Sequence, residues 1–367
     1  MKTEMKKILL HEVFGFSTPI PGFEKPLEVP QEIHPFTPEI DPEYVFEPDM
    51  VSRVLRSYGS RENIMLTGEK GTGKTSFVQQ FCARLNIPLM TICGGPGLDE
   101  TYLMGGKSLE SGSVKSVDGV LSYCLRYGIA VLIDELAAIK PPVLVSINDV
   151  LNGDQMITLK HHGLDPNMLP ADLAKEEGSL RIKRHNRFRF FATDNTGGKL
   201  SKDPRYVGVN TQNSAVRSRF TCFKMGFLAP ALEYKALLAC TSNLLPSIIG
   251  KHMVELAIRV RASFEEGEMY ETVSFRELKR WARKSLAYGS RDEVDLDSNG
   301  NPKIRPEIHK SFVDAVYTGL EESDQDMVTN TFELVFSTKL ELTHEYTLSA
   351  KHHLASLEKG LIQWDAA

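Results

Sequence analysis

No stretch of this sequence approaches the roughly 20 consecutive apolar residues that a helix needs to cross a bilayer. The start, MKTEMKKILLHEVFGF, carries basic residues but too short an apolar run for a secretory signal. Cys-x-x-Cys pairs are missing as well. Cys82, Cys93, Cys124, Cys222 and Cys240 are widely spaced and mostly in apolar surroundings, which points to reduced thiols and a cytoplasmic setting. Nor is positive charge in excess: lysine and arginine total 43 against 48 acids, a net charge of −5. The chain as a whole therefore has no pull toward nucleic acid or anionic lipid, and any basic surface must be local. His161-His162 and His352-His353 are adjacent pairs that share neither a helical nor a strand face, so neither reads as a metal site. What is left is an ordinary soluble composition on 367 residues, enough for two or three domains.

One stretch stands out. LTGEKGTGKTSF, Leu66 to Phe77, fits G-x-x-x-x-G-K-[ST], with an apolar strand pattern from Asn63 to Leu66 before it. Phe77, Val78, Phe81, Cys82 and Leu85 follow at helical spacing. Glycines let the backbone turn its N–H groups toward a polyphosphate, and the helix N-terminus adds positive potential. Gly68, Glu69, Lys70, Gly71, Thr72, Gly73, Lys74, Thr75 and Ser76 are thus the expected cradle for ATP. Lys74 is placed to reach the β and γ phosphates and the Thr75 hydroxyl to ligate Mg²⁺. A second run, Ile129 to Ile133, reads as a central parallel strand and ends in Asp134-Glu135. Carboxylates at the C-terminal edge of such a strand suit two tasks: Asp134 for the Mg²⁺ shell and Glu135 for polarising the attacking water.

The chain at this point resembles the AAA+ ATPases, and within them the MoxR-like group, most nearly its CobS-like branch, the ATPase subunits of aerobic cobaltochelatases. The resemblance runs from about Asp41 to Phe336. It is carried by GEKGTGKTSFVQQFCARLNIP, IAVLIDELAAIKPPVLVSINDVLNG, RFRFFATDNT, the stretch from Tyr206 through SAVRSRF, and SFRELKRWA. It implies that Asn195 is sensor 1, a neutral amide orienting the attacking water. Arg219, in Ser218-Arg219-Phe220, would be the finger that enters a neighbouring subunit's nucleotide site, with Arg217 as the alternative. Arg276 would be sensor 2 at the head of a lid helix, where family members usually have proline in place of Phe275. The resemblance implies a ring of six subunits, which a finger in trans requires to close head to tail. The resemblance also implies a partner with a von Willebrand factor A domain. A motor engaged with DNA or RNA is the second reading, and a nucleotide-gated scaffold with little turnover a third, disfavoured because Asp134 and Glu135 are both present.

The expected fold is α/β: a P-loop parallel sheet with helices on both faces and a C-terminal helical lid. Residues 1–45 are proline-rich and read as an extended arm. Residues 46–230 carry strand patterns near Ile64, Leu89, Ile129, Phe188 and Thr221, and 231–290 read as the lid. A polar loop, a last helical segment and a tail fill 291–367. Residues 98–120 are too rich in glycine and serine for core and fall where the family inserts an element facing the ring's pore. Residues 157–183 read as two hairpin strands around a long tip, and Arg181, Lys183, Arg184, Arg187 and Arg189 form a basic stem beside it, a solvated edge or a track for phosphate backbone.

Overall fold

Five short runs of apolar and β-branched residues assemble into one parallel sheet in the computed structural model of the chain, which describes residues 4–110, 113–160, 180–195, 214–296 and 302–342. The chain divides into two compact units, Met1–Gly226 and Phe227–Ala367.

In the first unit the elements run β1 (Met5–Ile8), α1 (Leu10–Val13), β2 (Leu27–Pro30), α2 (Pro48–Gly59), β3 (Ile64–Thr67), α3 (Lys74–Arg84), β4 (Leu89–Cys93), α4 (Glu100–Met104), β5 (Gly105–Glu110) and β6 (Ser113–Asp118). They continue with α5 (Val120–Tyr127), β7 (Ala130–Asp134), α6 (Pro141–Ser146), α7 (Asn148–Asn152), β8 (Met156–Thr158), β9 (Arg181–Lys183), β10 (Phe190–Asp194), α8 (Ser214–Arg217) and β11 (Thr221–Lys224). The sheet order is β11-β3-β10-β7-β4, every neighbouring pair parallel. Alternate side chains of each strand enter different cores. Met65, Val131, Ile133, Phe190 and Ala192 share one with α4, α5 and α7, while Ile64, Leu66, Ala130, Leu132 and Phe191 share the other with α2 and α3. Burial on both faces explains why these strands read as continuous apolar runs.

The proline-rich segment does not extend as an arm. Met5 to Ile8 pair antiparallel with Leu27 to Pro30, and Leu10, Phe14 and Ile20 are buried beside Phe46, Phe77 and Phe81. Where proline denies the segment a ladder, side chains on and after α3 satisfy its backbone. Gln80 accepts from the Asp41 N–H (2.8 Å) and donates to the Glu39 carbonyl (3.0 Å), and Asn86 donates to the carbonyls of Pro30 and Glu32.

Residues 98–120 also depart from expectation. β5 and β6 form an antiparallel hairpin, as their composition allows, but α4 buries Leu103 and Met104 in the core beneath it. β8 and β9 pair antiparallel as the two stem strands; the expected tip lies outside the described residues.

The second unit holds α9 (Pro230–Ala239), α10 (Ser247–Glu266), α11 (Phe275–Tyr288), β12 (Ser290–Leu296), β13 (Pro302–Arg305), α12 (His309–Ala315) and α13 (Glu322–Phe336). The stretch read as a polar loop contains an antiparallel pair, β12 with β13. The lid and the last helical segment share one core: Leu278 and Trp281 of α11 pack with Phe312 of α12 and Val328 and Phe332 of α13. No helix among the described residues is long and apolar enough to cross a membrane.

Candidate functional site

The phosphate-loop sequence leaves β3 at Thr67 and enters α3 at Lys74, so its turn lies at the C-terminal edge of the sheet. Gly68 has φ +151°, and a Cβ there would stand 2.0 Å from the Met225 carbonyl oxygen, so no side chain fits. Gly73 precedes α3 in the left-handed region, at φ 89° and ψ 17°. A cradle that close backbone approach reserves for glycine suits a polyphosphate held by N–H groups.

Lys74 is 5% exposed. Its Nζ donates to the carbonyls of Gly68 (2.8 Å) and Glu69 (2.7 Å). Burial pushes its pKa down to about 8, against the opposing pull of Asp134, Glu69, Asp194 and Glu135. Beside it, the Thr75 hydroxyl donates to Asp134 Oδ1 at 2.6 Å, which brings a hydroxyl and a carboxylate oxygen together across the mouth of the loop. Both are hard oxygen donors of the kind Mg²⁺ takes.

Asp134 ends β7, and Glu135 follows in the left-handed region at φ 58°, uncommon for a residue with a side chain. The conformation is held from outside. Thr193 of β10 donates through Oγ1 to Asp134 Oδ1 and accepts from the Glu135 N–H at 3.0 Å, so one hydroxyl ties the two acids together. The Asn195 amide then donates to Glu135 Oε1 at 3.2 Å. Lys74, Thr75, Asp134, Glu135 and Asn195 are thereby gathered at one sheet edge. Thr193 was not among the residues singled out in the sequence. Its signal was its place in Phe-Ala-Thr-Asp-Asn, two positions before Asn195, but its partners lie 58 and 59 positions away.

Arg219 is elsewhere. It precedes β11, whose first residue Thr221 aligns with Ile64 at the start of β3, so it stands at the N-terminal edge of the sheet. The length of a four-residue strand, roughly 13 Å, separates that edge from the phosphate loop. There Arg219 lines a cleft of about 390 Å³ with Arg61, Asn63, Asn152 and Thr221. Arg217 ends α8 with its Nε buried and without a hydrogen-bond partner among the described residues. Tyr206 lies outside the described residues.

Arg276 belongs to the second unit, exposed in the first turn of α11. Phe275 in the place of proline does not weaken that helix start. Ser274 accepts from the Arg276 N–H while Glu277 reaches back to the Ser274 N–H, a capping box that starts the helix without proline.

The basic stem is only partly available. Arg184 donates to the Val150 carbonyl at 2.8 Å and lies over the Phe188 ring, its pKa pushed down to about 10 by burial. Arg189 donates to the carbonyls of Tyr58, Asn186 and Phe188 and lies over the Tyr58 ring. Both are cross-braces between elements. No cluster of three or more His, Cys, Asp or Glu suited to a metal occurs among the described residues.

Residues 63–220 match the family described as AAA domain (dynein-related subfamily). The chain is 26% identical over 292 residues to the aerobic cobaltochelatase subunit CobS of a Sinorhizobium species, covering 77% of this chain and 81% of that one. It is 24% identical over 221 residues to protein CbbQ of Hydrogenophilus thermoluteolus, covering 60% and 73%. To protein NorQ of Paracoccus denitrificans it is 28% identical over 171 residues, covering 46% and 54%. A phosphate loop on β3, paired acids on β7 and a sheet-end asparagine on β10 coincide with the matched region: residues 63–220 carry an AAA domain, and the chain is similar to the MoxR-like AAA+ ATPases CobS, CbbQ and NorQ.

Proposed function

We propose that the chain is a Mg²⁺-dependent ATP hydrolase that works as a ring-shaped, hexameric motor and remodels a protein client or drives a chelatase-type partner. In this reading Thr75 and Asp134 hold Mg²⁺, which when bound neutralises charge on the β and γ phosphates. Lys74 leaves the carbonyls of Gly68 and Glu69 for the phosphates. Glu135 accepts the proton of the attacking water, and Asn195, which now holds Glu135 Oε1, orients that water once the triphosphate competes for its amide. Arg276 serves as sensor 2 on the lid.

The observation that carries the ring is the position of Arg219. An arginine at the N-terminal edge of the sheet cannot reach a nucleotide at the C-terminal edge of the same subunit, but a head-to-tail neighbour can bring the two together. CobS is by name a subunit of an aerobic cobaltochelatase. That favours a partner protein, of the kind with a von Willebrand factor A domain, as the recipient of the work. The nucleic-acid reading ranks second, because two of the five basic stem residues are committed to internal carbonyls.

Subunit mixing tests the reading. Arg219→Ala is expected to bind ATP near normally and to hydrolyse it roughly 10³ times more slowly or worse, while Lys74→Ala should fail to bind. Rings mixed from the two should exceed the sum of their separate rates, because a sound finger then faces a sound pocket. Mixed rings that form but never exceed that sum would mean that Arg219 does not act in trans.

A further inference from the structure

Arg219 does not stand free in its cleft. Its Nε donates to Asn152 Oδ1 at 2.6 Å and its Nη1 to the Ala215 carbonyl; among the described residues Nη2 has no partner. Beneath it the Asn63 side chain, 7% exposed, donates to the carbonyls of Leu151 (2.7 Å) and Arg219 (3.0 Å). That buried amide ties the backbone before β11 to the last turn of α7. Asn152 ends α7, and Gly153, at φ 82°, closes the helix behind it. The guanidinium is therefore held at Nε and Nη1, and Nη2 is the nitrogen without a partner among the described residues.

We propose that Asn152 is a positioning residue for the arginine finger: it holds Nε of Arg219 so that Nη2 is presented to the neighbouring subunit's nucleotide. The inference rests on the reading of Arg219 as a finger in trans. Two physical points favour an amide for this task. A finger contributes through orientation as well as charge, and a long flexible side chain loses its advantage when it samples many rotamers. An amide oxygen is a neutral acceptor, so it orients the guanidinium without cancelling the charge that the transition state needs, as a carboxylate at position 152 would.

Asn152→Ala is expected to fold, since alanine suits a helical turn, and Asn152→Ser serves as a second variant. Each should lower kcat about 10- to 100-fold, the scale on which a reacting group displaced by about 1 Å fails, with ATP affinity and KM within about twofold of wild type. The double variant Arg219→Ala/Asn152→Ala should be no slower than Arg219→Ala alone, because Asn152 acts only through Arg219. Rings mixed from Asn152→Ala and Lys74→Ala subunits should recover activity, a rescue that damage to the variant's own pocket would not permit. The inference is overturned if Asn152→Ala keeps its rate while Arg219→Ala loses its own, if the two losses multiply, or if mixing rescues Arg219→Ala but not Asn152→Ala. A wild-type rate in Arg219→Ala would instead remove the finger itself, and this inference with it.

Discussion

Lys74 is the residue at which burial and charge oppose each other most directly. Its ammonium is held on two loop carbonyls, and burial lowers its pKa to about 8 while four acids pull the other way. A triphosphate favours the charged form, so binding must raise that pKa again and take up protons at any pH above the free site's value. The sign follows directly. Below about pH 8 Lys74 is already protonated and affinity should be flat; above it, affinity should fall by up to tenfold per pH unit until the bound-state pKa is reached. Calorimetric titration at about pH 9, in buffers of different ionisation heat, should show uptake approaching one proton per nucleotide. Flat affinity across that range with no proton uptake would mean that Lys74 is already protonated in the free site at pH 9 or does not meet the phosphates. The lysine, Thr75, Asp134 and Glu135 were all legible in the sequence because their motifs are contiguous and each residue type has a stated reason to be there. Thr193 and Asn152 were not. A threonine inside a strand and an asparagine at a helix end have ordinary local explanations, and their importance comes from contacts 58 and 67 positions away.

At the scale of elements, the parallel strands were readable because burial on both faces leaves unbroken apolar runs, while β12 and β13 were missed because the alternation in RDEVDLDSNGNPKIRPE is confined to Val294 and Leu296 in a stretch dominated by charged and polar residues. The first 45 residues misled for a related reason: proline excludes long regular elements but not the burial of Leu10, Phe14 and Ile20. The second unit conceals a different feature. Arg261 of α10 makes a bidentate pair with Glu233 of α9 at 2.8 and 2.7 Å, donates to the Val273 carbonyl, and lies 4.1 Å from the centre of the Phe227 ring. The side chains are 6% and 1% exposed, so neither charge has water to fall back on. Removing one partner strands the other, at a cost of about 3–5 kcal/mol, whereas replacing both with apolar groups of similar volume is often neutral. Arg261→Met should therefore lower the urea midpoint of this unit sharply, and Arg261→Met/Glu233→Leu should regain most of the loss. Trp281, buried in the same core, reports the transition in a Trp364→Phe background. A double variant no more stable than the single one would show that the pair contributes net stability.

For the whole molecule the open question is what the motor acts on, and charge offers the sharpest discrimination. The chain carries a net −5, and the 161–178 stretch, outside the described residues, holds Asp165, Asp172, Glu176 and Glu177 against Lys175 and two histidines. Of the five basic residues beside it, Arg184 and Arg189 spend their donors on internal carbonyls. A phosphate track would have to use Arg181, Lys183 and Arg187, and three cations next to an acidic stretch make a poor one. A protein rim tolerates such a mixture, since interspersed charges set register and on-rate more than affinity. Single- or double-stranded DNA is therefore expected to change the ATPase rate less than about twofold at moderate salt, and the triple variant Arg181→Ala/Lys183→Ala/Arg187→Ala should respond as wild type does. Each phosphate contact releases counterions, so engagement through all three residues would give a log–log salt slope of about −2 to −3. A stimulation with that slope, abolished in the triple variant, would reverse the ranking and make nucleic acid the client. Arg184 and Arg189 are unsuitable for the same test: losing their braces to Val150 and Tyr58 would disturb the core beneath β10 and lower activity whatever the client.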